Sequence, residues 1–321
     1  MNELNFWKYA LDSIDKKNNL ILLIVADASL SSPGRTGFKM IVDKSKNTFG
    51  TIGGGIMEKQ MIDFAAEMFS NHKKYYIKRL QHSNGSKLEN SGLICGGFET
   101  IIFRKINSDD KNILRQVVDS FTNKSESYIS MANDGLKIIN SSLPNDKTFN
   151  YVNDDEWSYR EKIGTPYTIY IIGGGHVGKA VSDAMKLLGF YIVIFDHRKD
   201  IFTMIQNTSA DEKIIADYSL VGNYINENEK SFIVICTPRH DGDKTALLSV
   251  INKKVKYIGM MGSKKKIKTI FDEIKKTGIS EELIDTIHSP IGLEIYSETP
   301  SEIAISIAAE IIKAKNSSKY V

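Results

Sequence analysis

A glycine-rich turn between two apolar runs, within residues 167–198, is the feature that most restricts the fold of this chain. Its glycines, Gly173, Gly175 and Gly178, follow the spacing G-x-G-x-x-G, and Asp196 ends the second apolar run 18 residues after the last of them. In a strand–turn–helix–strand unit, such glycines allow a tight turn, the approach of a pyrophosphate and close helix packing. The helix start offers N–H groups to the anion, and the acid accepts a hydrogen bond from a ribose hydroxyl. The pattern therefore predicts a dinucleotide-binding α/β sheet.

The composition is that of an ordinary globular protein long enough for two domains, with 321 residues, of which 41% are hydrophobic and 25% charged. A net charge of +3 gives no reason to expect nucleic acid or a membrane surface as a partner. No apolar run approaches about 18 residues, the length of a membrane span. The two cysteines, Cys95 and Cys236, are far apart, which excludes a disulfide framework and predicts a reducing, cytoplasmic location.

The order of the predicted elements divides the chain into two domains. Residues 1–140 mix helices and strands as in an α+β domain, and residues 141–164, which are polar and irregular, are predicted to be a linker. Residues 165–321 alternate strands with helices, which predicts a doubly wound parallel sheet of the Rossmann type. The predicted fold class is therefore α/β, with a smaller α+β domain before the parallel sheet.

Apolar periodicity and capping signals place the individual elements. In the first domain we predict helices near residues 4–14, 56–69 and 110–121, and strands at Leu20–Ala26, Lys39–Asp43, Thr48–Ile52, Tyr75–Leu80 and Thr100–Lys105. In the second domain we predict strands at Tyr167–Ile172, Tyr191–Asp196, Lys213–Ile215, Phe232–Cys236 and Tyr257–Gly259. A capping box of Thr299 and Glu302, with Pro300 at the first helical position, predicts the start of a final helix.

The loop S-S-P-G-R-T-G-F-K-M, residues 31–40, follows a predicted buried strand and combines two glycines with two cations, Arg35 and Lys39. Arginine offers a rigid fork that suits phosphate or carboxylate groups. The pattern indicates either an anion-binding loop or a surface loop with solvated charges.

Three consecutive glycines, Gly53, Gly54 and Gly55, precede the second predicted helix. They cost backbone entropy that packing alone hardly explains, and glycines before a helix start can form a nest of N–H groups that faces an anion. Glu58, in the first turn of the helix, offers a structural alternative, because its carboxylate could bond to the same N–H groups as a cap.

Cys95 lies between an apolar segment and two glycines, which could place its sulfur at a loop surface beside a ligand, although a free cysteine is usually a small buried hydrophobe. Ser263 is predicted to cap a helix whose first turn contains three lysines, beginning with Lys264. Because lysines have the wrong sign for a helix start, either an anion binds there or the lysines form an exposed cluster.

Two residues near the glycine turn leave the identity of the ligand undecided. His176 follows the turn and either faces a bound ligand or is structural. Arg198 lies two residues after Asp196 and could accept a 2′-phosphate, so the pattern does not choose between nucleotides.

Together, four blocks resemble the XdhC/CoxI family, accessory factors of xanthine dehydrogenase and related molybdenum hydroxylases. They are S-S-P-G-R-T-G-F-K-M (31–40), G-T-I-G-G-G-I-M-E (50–58), C-G-G (95–97) and the stretch that starts with I-I-G-G-G-H-V-G (171–178) and continues to residue 312. There are two departures, because Gly34 separates proline from arginine in the first block and Ile94 stands where many relatives have another cysteine. The second departure weakens any role that needs two thiols.

The resemblance implies a two-domain protein that binds molybdenum cofactor, protects it while a cysteine desulfurase installs its terminal sulfur, and delivers it to an apo-hydroxylase. The cofactor is molybdopterin or its dinucleotide form, whose phosphates suit the glycine-rich helix start and whose dithiolene holds the metal without protein ligands. Cys95 is the candidate for the group nearest the molybdenum. With no persuasive acid–base set, we expect a binding and delivery protein rather than an enzyme. The alternatives are an NAD(P)-dependent oxidoreductase, and a Rossmann-type domain that serves as a scaffold for docking or for a homodimer.

Overall fold

The computed structural model describes residues 2–81, 97–139 and 147–317. The chain divides into two compact units, Met1–Thr165 and Pro166–Val321. The predicted linker is wrong where the structure describes it, because residues 147–163 form two strands of the first unit. These strands pair with each other, and one of them also pairs with a strand at Ser127–Ala132. The polar composition that predicted a linker belongs instead to a half-exposed sheet.

The described part of the first unit has three α-helices and nine β-strands. The helices are α1 (Glu3–Asp15), α2 (Gly55–Met68) and α3 (Lys111–Thr122). The strands are β1 (Leu20–Ala28), β2 (Lys39–Asp43), β3 (Thr48–Gly50), β4 (Tyr75–Gln81), β5 (Phe98–Ile106), β6 (Ser127–Ala132), β7 (Gly135–Ile139), β8 (Lys147–Asn153) and β9 (Glu156–Ile163).

These strands form two antiparallel sheets, with the orders β3-β2-β1-β5-β4 and β7-β6-β9-β8. In the central strand β1, Ile21 and Leu23 belong to the core that contains α2. Leu22 and Ile24 belong to a second core, together with residues of α1, α3 and β9. Because both faces of β1 are covered, its sequence is continuously apolar instead of alternating. The prediction of a buried strand there is confirmed.

The second unit contains a single parallel sheet in its described part. Its strands are β10 (Thr168–Ile172), β11 (Tyr191–Asp196), β12 (Glu212–Ile215), β13 (Ser231–Ile235) and β14 (Tyr257–Met260). Its helices are α4 (His176–Leu187), α5 (Phe202–Ile205), α6 (His240–Val250), α7 (Lys264–Lys275), α8 (Glu281–Asp285) and α9 (Pro300–Asn316).

The sheet has the order β12-β11-β10-β13-β14, with parallel pairing throughout. One core packs residues of α4 and α9 against the sheet, and another packs residues of α6, α7 and α8 against it. The predicted doubly wound fold is therefore confirmed. The strand order reverses between β10 and β13, and ligands of such sheets bind in the crevice at the carboxyl ends of the strands on either side of that point.

The final helix begins as its capping signals predict. The Thr299 hydroxyl accepts a hydrogen bond from the Glu302 N–H at 3.3 Å, and the Glu302 carboxylate accepts one from the Thr299 N–H at 2.9 Å. Pro300 is the first helical residue, where its missing N–H costs nothing. The capping box and the proline are interactions between neighbouring residues, so the start of α9 is predictable from the local sequence.

Candidate functional site

The glycine turn after β10 is held close to the end of β13. Gly173 has a φ of 124°, and a Cβ there would overlap the carbonyl oxygen of Cys236. A Cβ on Gly178 would overlap the carbonyl oxygen of Gly173, so the first turn of α4 packs directly on the turn. Two of the three predicted glycines are thus required by close backbone approach. The motif lies beside the reversal of strand order, where a ligand crevice is expected.

The start of α4 is open toward that crevice. Gly175 precedes the helix and supplies no side-chain cap, and the first turn contains no acidic residue. A Cβ added to Gly175 would meet no atom within 4 Å. His176 is the exposed first residue of the helix. The N–H groups and the positive end of the helix dipole are therefore available to an external anion.

Asp196 holds the turn and does not face the crevice with a free oxygen. Its side chain is fully buried, and Oδ2 accepts hydrogen bonds from the Gly174 N–H at 2.8 Å and from Nη2 of Arg198 at 2.9 Å. Oδ1 accepts from the backbone N–H of Arg198 at 3.0 Å and from its Nε at 2.9 Å. Both oxygens are occupied, so the predicted bond from a ribose hydroxyl to Asp196 has no acceptor unless the guanidinium leaves.

The charge state of Asp196 follows from these contacts. Burial by itself would raise the pKa of the carboxyl group, but hydrogen bonds from Arg198 and from the Gly174 N–H outweigh it and lower the pKa from 3.8 to about 2. The reciprocal bond raises the pKa of Arg198. The pair is therefore ionised throughout the range in which the protein would work.

We expect the Asp196 carboxylate to stabilise the fold in a pH-dependent manner. Because the pKa in the folded state lies below the ordinary value, its contribution of roughly 2 kcal/mol is complete above about pH 4 and is lost as the pH falls toward about 2. Urea unfolding measures the free energy of unfolding of the wild type and of Asp196→Asn from neutral to acid pH. We expect the difference between the two free energies to become smaller as the pH falls. A difference in the free energy of unfolding that stays constant over that pH range would contradict this prediction.

The lysine cluster at the start of α7 is only partly free. Ser263 caps the helix as predicted, accepting a hydrogen bond from the Lys266 N–H at 3.3 Å. The Lys266 ammonium forms an ion pair with Asp243, a buried residue in the first turn of α6. Lys264 is exposed. One of the three predicted anion-attracting lysines is therefore already neutralised by a partner 23 residues away, which the local sequence does not reveal.

In the first unit, segments of three sequence blocks meet in what we term the loop cluster, residues 29–37, 51–55 and 97–99. The Gly34 N–H donates to Glu99 Oε1 at 2.6 Å, and a Cβ on Gly53 would lie 2.6 Å from the Gly34 nitrogen. A Cβ on Gly97 would overlap the hydroxyl of Ser29. The glycines therefore serve the close approach of the loops to one another. Gly34, the residue that interrupts the family pattern, lies at the centre of these contacts.

The glycine nest at the start of α2 is filled by the chain itself. One carboxylate oxygen of Glu58 accepts hydrogen bonds from the Thr51 hydroxyl at 2.5 Å, the Ile52 N–H at 2.9 Å and the Gly54 N–H at 3.0 Å. Gly53 donates to the Thr51 hydroxyl at 3.1 Å. Of the two alternatives, the structure has the internal cap, and an external anion would have to displace Glu58.

Lys39 was a candidate for anion binding, and the structure contradicts this. Its side chain is buried, and Nζ donates to Glu3 at 2.9 Å, to Glu161 at 3.0 Å and to the Gly37 carbonyl at 3.1 Å. Burial would lower the pKa of this amine, but the charges of Glu161 and Glu3 raise it above its usual range. Lys39 is a structural cation that no ligand reaches.

Arg35 remains at the edge of the loop cluster, half-buried, and its Nη1 donates to the carbonyls of Ser32 and Gly34. Cys95 lies outside the described residues.

Sequence reasoning missed Glu99, a fully buried carboxylate whose pKa is raised by burial in spite of the Gly34 N–H and the Arg35 charge. Its position four residues after Cys95, two residues before the apolar run 101–103, was the available signal.

Two further observations concern the described part of the chain. It has no group of three or more His, Cys, Asp and Glu side chains that could hold a metal ion. None of the helices that the structure describes combines the length and the hydropathy needed to span a bilayer.

Comparison with known proteins gives two family matches. Residues 169–311 match the family described as the XdhC Rossmann domain, and residues 13–80 match the XdhC and CoxI family. The chain is 24% identical over 293 residues to the uncharacterized protein YqeB of Escherichia coli K12, a match that covers 91% of this chain and only 43% of the length of YqeB. It is 19% identical over 323 residues to a Bacillus subtilis protein described as a probable subunit of xanthine dehydrogenase, covering 94% of this chain and 95% of that protein.

The fold also has a solved counterpart. A crystal structure described as a xanthine dehydrogenase from Bacillus halodurans superposes with a TM-score of 0.76 at 18% identity, over 100% of this chain and 97% of that one. At this identity the likeness concerns the fold, which extends over both units.

Proposed function

This chain belongs to the XdhC and CoxI family, which suggests an accessory role in xanthine dehydrogenase maturation, and on that basis we propose that it binds molybdenum cofactor. In this proposal the protein promotes sulfuration of the cofactor and its insertion into a xanthine dehydrogenase-type molybdenum hydroxylase. Its partners are the apo-hydroxylase and a cysteine desulfurase. The protein itself binds and delivers, without catalysing a reaction.

The observation that carries the proposal is the open start of α4. The cofactor in either form bears phosphate, and the uncapped N–H groups after Gly175 suit an anion of that kind. The empty space above Gly175 leaves room for the ligand to approach the backbone, and the contact between Gly173 and Cys236 fixes the shape of the turn. This is a fit to the phosphorylated part of the cofactor only.

The first unit, taken by itself, contains a second set of candidate groups. Arg35 lies at the edge of the loop cluster, and within the described part of the chain its hydrogen bonds come from Nη1, so the planar fork suits an anionic or carbonyl-bearing group. Burial raises the pKa of Glu99, whose carboxylate accepts the Gly34 N–H beside the same loops. Cys95, four residues before Glu99 in the chain, stays the proposed group nearest the molybdenum. When bound, the cofactor supplies the molybdenum and sulfur chemistry that the hydroxylase uses.

The proposal is tested by mixing the purified protein with molybdenum cofactor released from a donor enzyme. We expect the cofactor to co-elute with the protein on gel filtration and to lose activity to oxidation more slowly than the free cofactor. Adding the loaded protein to apo-xanthine dehydrogenase with a cysteine desulfurase should restore hydroxylase activity faster than free cofactor does. A protein that neither retains the cofactor nor protects it would rule the proposal out.

The variant Gly175→Asp separates ligand binding from folding. Gly175 has an extended φ and ψ, and aspartate is a favoured helix N-cap, so the fold should be kept or gain a few tenths of a kcal/mol. The carboxylate would occupy the free N–H groups and repel phosphate, so cofactor retention should fall by roughly tenfold or more. Gly175→Asn is the matched control, because asparagine caps the helix without adding a charge. The asparagine variant should therefore bind the cofactor more tightly than the aspartate variant. Equal retention by the two variants would contradict an anion at this position.

The runner-up is an NAD(P)-dependent oxidoreductase, which the strand order and the glycine turn of the second unit favour. Titration of NADH and NADPH followed by fluorescence distinguishes this function from the first. Tight binding accompanied by substrate turnover would support the oxidoreductase, whereas cofactor retention without turnover would support the accessory role.

A further inference from the structure

The loop that leads into α9, residues 293–298, exposes a group of large apolar side chains, and we term it the apolar loop. Tyr296 is 90% exposed, and Leu293 and Ile295 on the same loop are exposed as well. Ile305, in the second turn of α9, is also exposed. Single exposed apolar residues are ordinary on a protein surface, but several in one short segment mark a surface that another molecule covers.

The backbone of the apolar loop holds Tyr296 in solvent. Its φ of 56° lies in the left-handed region, which a bulky residue rarely adopts. The base of the loop is fixed on α9, because the Ser306 hydroxyl donates to the Leu293 carbonyl at 2.5 Å and the Gly292 N–H donates to Glu310 at 2.6 Å. A strained conformation on a fixed base is typical of a position that serves recognition, because glycine would suit this backbone better.

A groove lies nearby in the same unit, between α7, α8 and residues 289–290. It encloses about 520 Å³, within the range of sites that take up a ligand or a side chain. Its apolar lining comes from Ile267, Phe271 and Ile284. Lys264 and Lys268, one helical turn apart on α7, also line it, and neither ammonium forms an ion pair with any residue that the structure describes.

The apolar loop and the groove complement each other in chemistry. The Tyr296 ring suits the apolar lining, and the carboxylates of Asp272 and Asp285, which also line the groove, offer acceptors for its hydroxyl. Glu294 and Glu298 in the loop are exposed, and within the described part of the chain their carboxylates form no ion pair. Two unpaired carboxylates on the loop thus correspond to the two unpaired ammonium groups of the groove.

We propose that the second unit associates with a second copy of this chain, with Tyr296 of each copy inserted into the groove of the other. Tyr296 does not fill the groove of its own copy, because it is exposed. Pro290, which lines the groove, precedes Leu293 by three residues, so loop and groove lie at most about 11 Å apart along the chain. Adjacent complementary surfaces on one molecule satisfy a two-fold axis, which forms both contacts at once and closes at the dimer.

The first measurement is the oligomeric state of the full chain by light scattering after gel filtration and by sedimentation over a range of concentrations. We expect twice the chain mass of 36.0 kDa, with dissociation on dilution. A wild type that stays monomeric at all concentrations up to about 100 μM would overturn the proposal and assign the surface to a different protein.

The variant Tyr296→Gly removes the anchor without endangering the fold. Glycine suits a φ of 56°, so thermal stability of the monomer should be kept or raised. The dissociation constant of the dimer should rise at least about a hundredfold, because a tyrosine anchor is lost from both contacts. Leu187→Ala is the control, since it removes an exposed apolar side chain from α4, and it should leave the dimer intact. A dimer that Tyr296→Gly leaves unchanged would contradict the proposal.

Charge reversal tests which surfaces meet. Glu294→Lys and Lys268→Glu should each weaken the dimer about tenfold or more, because each places like charges together in both contacts. The double variant should recover to within about threefold of the wild type, since the pair is restored with opposite polarity. Lys8→Glu, the same change on α1 of the first unit, should have no effect. A double variant weaker than both single variants would show that loop and groove do not meet.

The association and the proposed function can fail separately, because one is read from the mass of the particle and the other from cofactor retention. A monomer that retains molybdenum cofactor would overturn the association and leave the proposed function in place. A dimer that depends on Tyr296 but retains no cofactor would support the association and rule out the proposed function.

Discussion

Replacing Glu161 with leucine should lower the free energy of unfolding by about 3–5 kcal/mol, the cost of breaking a buried ion pair by removing one partner. The carboxylate is buried and accepts hydrogen bonds from Lys39 at 3.0 Å and from the Tyr159 hydroxyl at 3.0 Å. Leucine would leave the Lys39 cation buried with only the half-exposed Glu3 as a charged partner. Urea unfolding followed by circular dichroism measures the loss.

The double variant Lys39→Met, Glu161→Leu identifies the cause of this loss. A buried pair replaced by apolar side chains of similar size is often close to neutral, so the double variant should regain part of the stability that Glu161→Leu loses. The rest stays lost because the buried Tyr159 hydroxyl has no acceptor in either variant. Asp134→Asn, which removes one partner of an exposed ion pair with Lys137, serves as the surface control and should leave stability unchanged within error. A double variant as unstable as the single one would show that the buried cation is not the cause.

The same double variant also tests the structural assignment of Lys39. Because Nζ of Lys39 is surrounded by Glu3, Glu161 and the Gly37 carbonyl, we expect that it does not contact a bound ligand. Cofactor retention by the double variant should therefore equal that of the wild type. A specific loss of binding with the fold intact would restore Lys39 to the site.

Replacing Gly173 with alanine is expected to cost about 3 kcal/mol or more and to abolish ligand binding in the second unit. The position has a φ of 124°, which strains any residue with a Cβ, and the new methyl group would overlap the Cys236 carbonyl. Strain and overpacking each cost roughly 1–3 kcal/mol. Relief requires the turn to leave the end of β13, which moves the start of α4.

Gly175→Ala is the matched control for this prediction, two residues along the same turn. Its φ of −73° suits alanine, and an added Cβ meets no atom within 4 Å. We expect its stability to stay within about 0.5 kcal/mol of the wild type. Thermal unfolding of the two variants side by side provides the comparison. A similar loss of stability in both variants would mean that the close approach of the backbone to its neighbours is not the reason for glycine at position 173.

The second unit was the more predictable half because its signals are local. The unit β10–α4–β11 spans residues 168–196, and its periodicity, its glycines and its strand ends all lie within that stretch. The same holds for α9, whose start depends on hydrogen bonds between residues three apart. Short-range preferences that agree with each other and with the global fold make such elements predictable from the sequence.

The second sheet of the first unit was missed for the opposite reason. Strand β8 is largely exposed, and β9 alternates buried and exposed residues but places Glu161 among the buried ones. A charged residue at an inward position hides the period-two pattern that would predict a strand. The strand is understandable only when Lys39, 122 residues earlier in the chain, is known to be its partner.

The sequence alone determined where the glycine turn lies and which strands form the parallel sheet. Only the tertiary structure decided which charges are free. Lys39 is paired with Glu161, and Asp196 is paired with Arg198. The N–H groups of the glycine nest donate to the carboxylate of Glu58. The physical reason is that backbone turns are set by neighbours along the chain. The availability of a charge depends instead on burial and on partners that folding brings together.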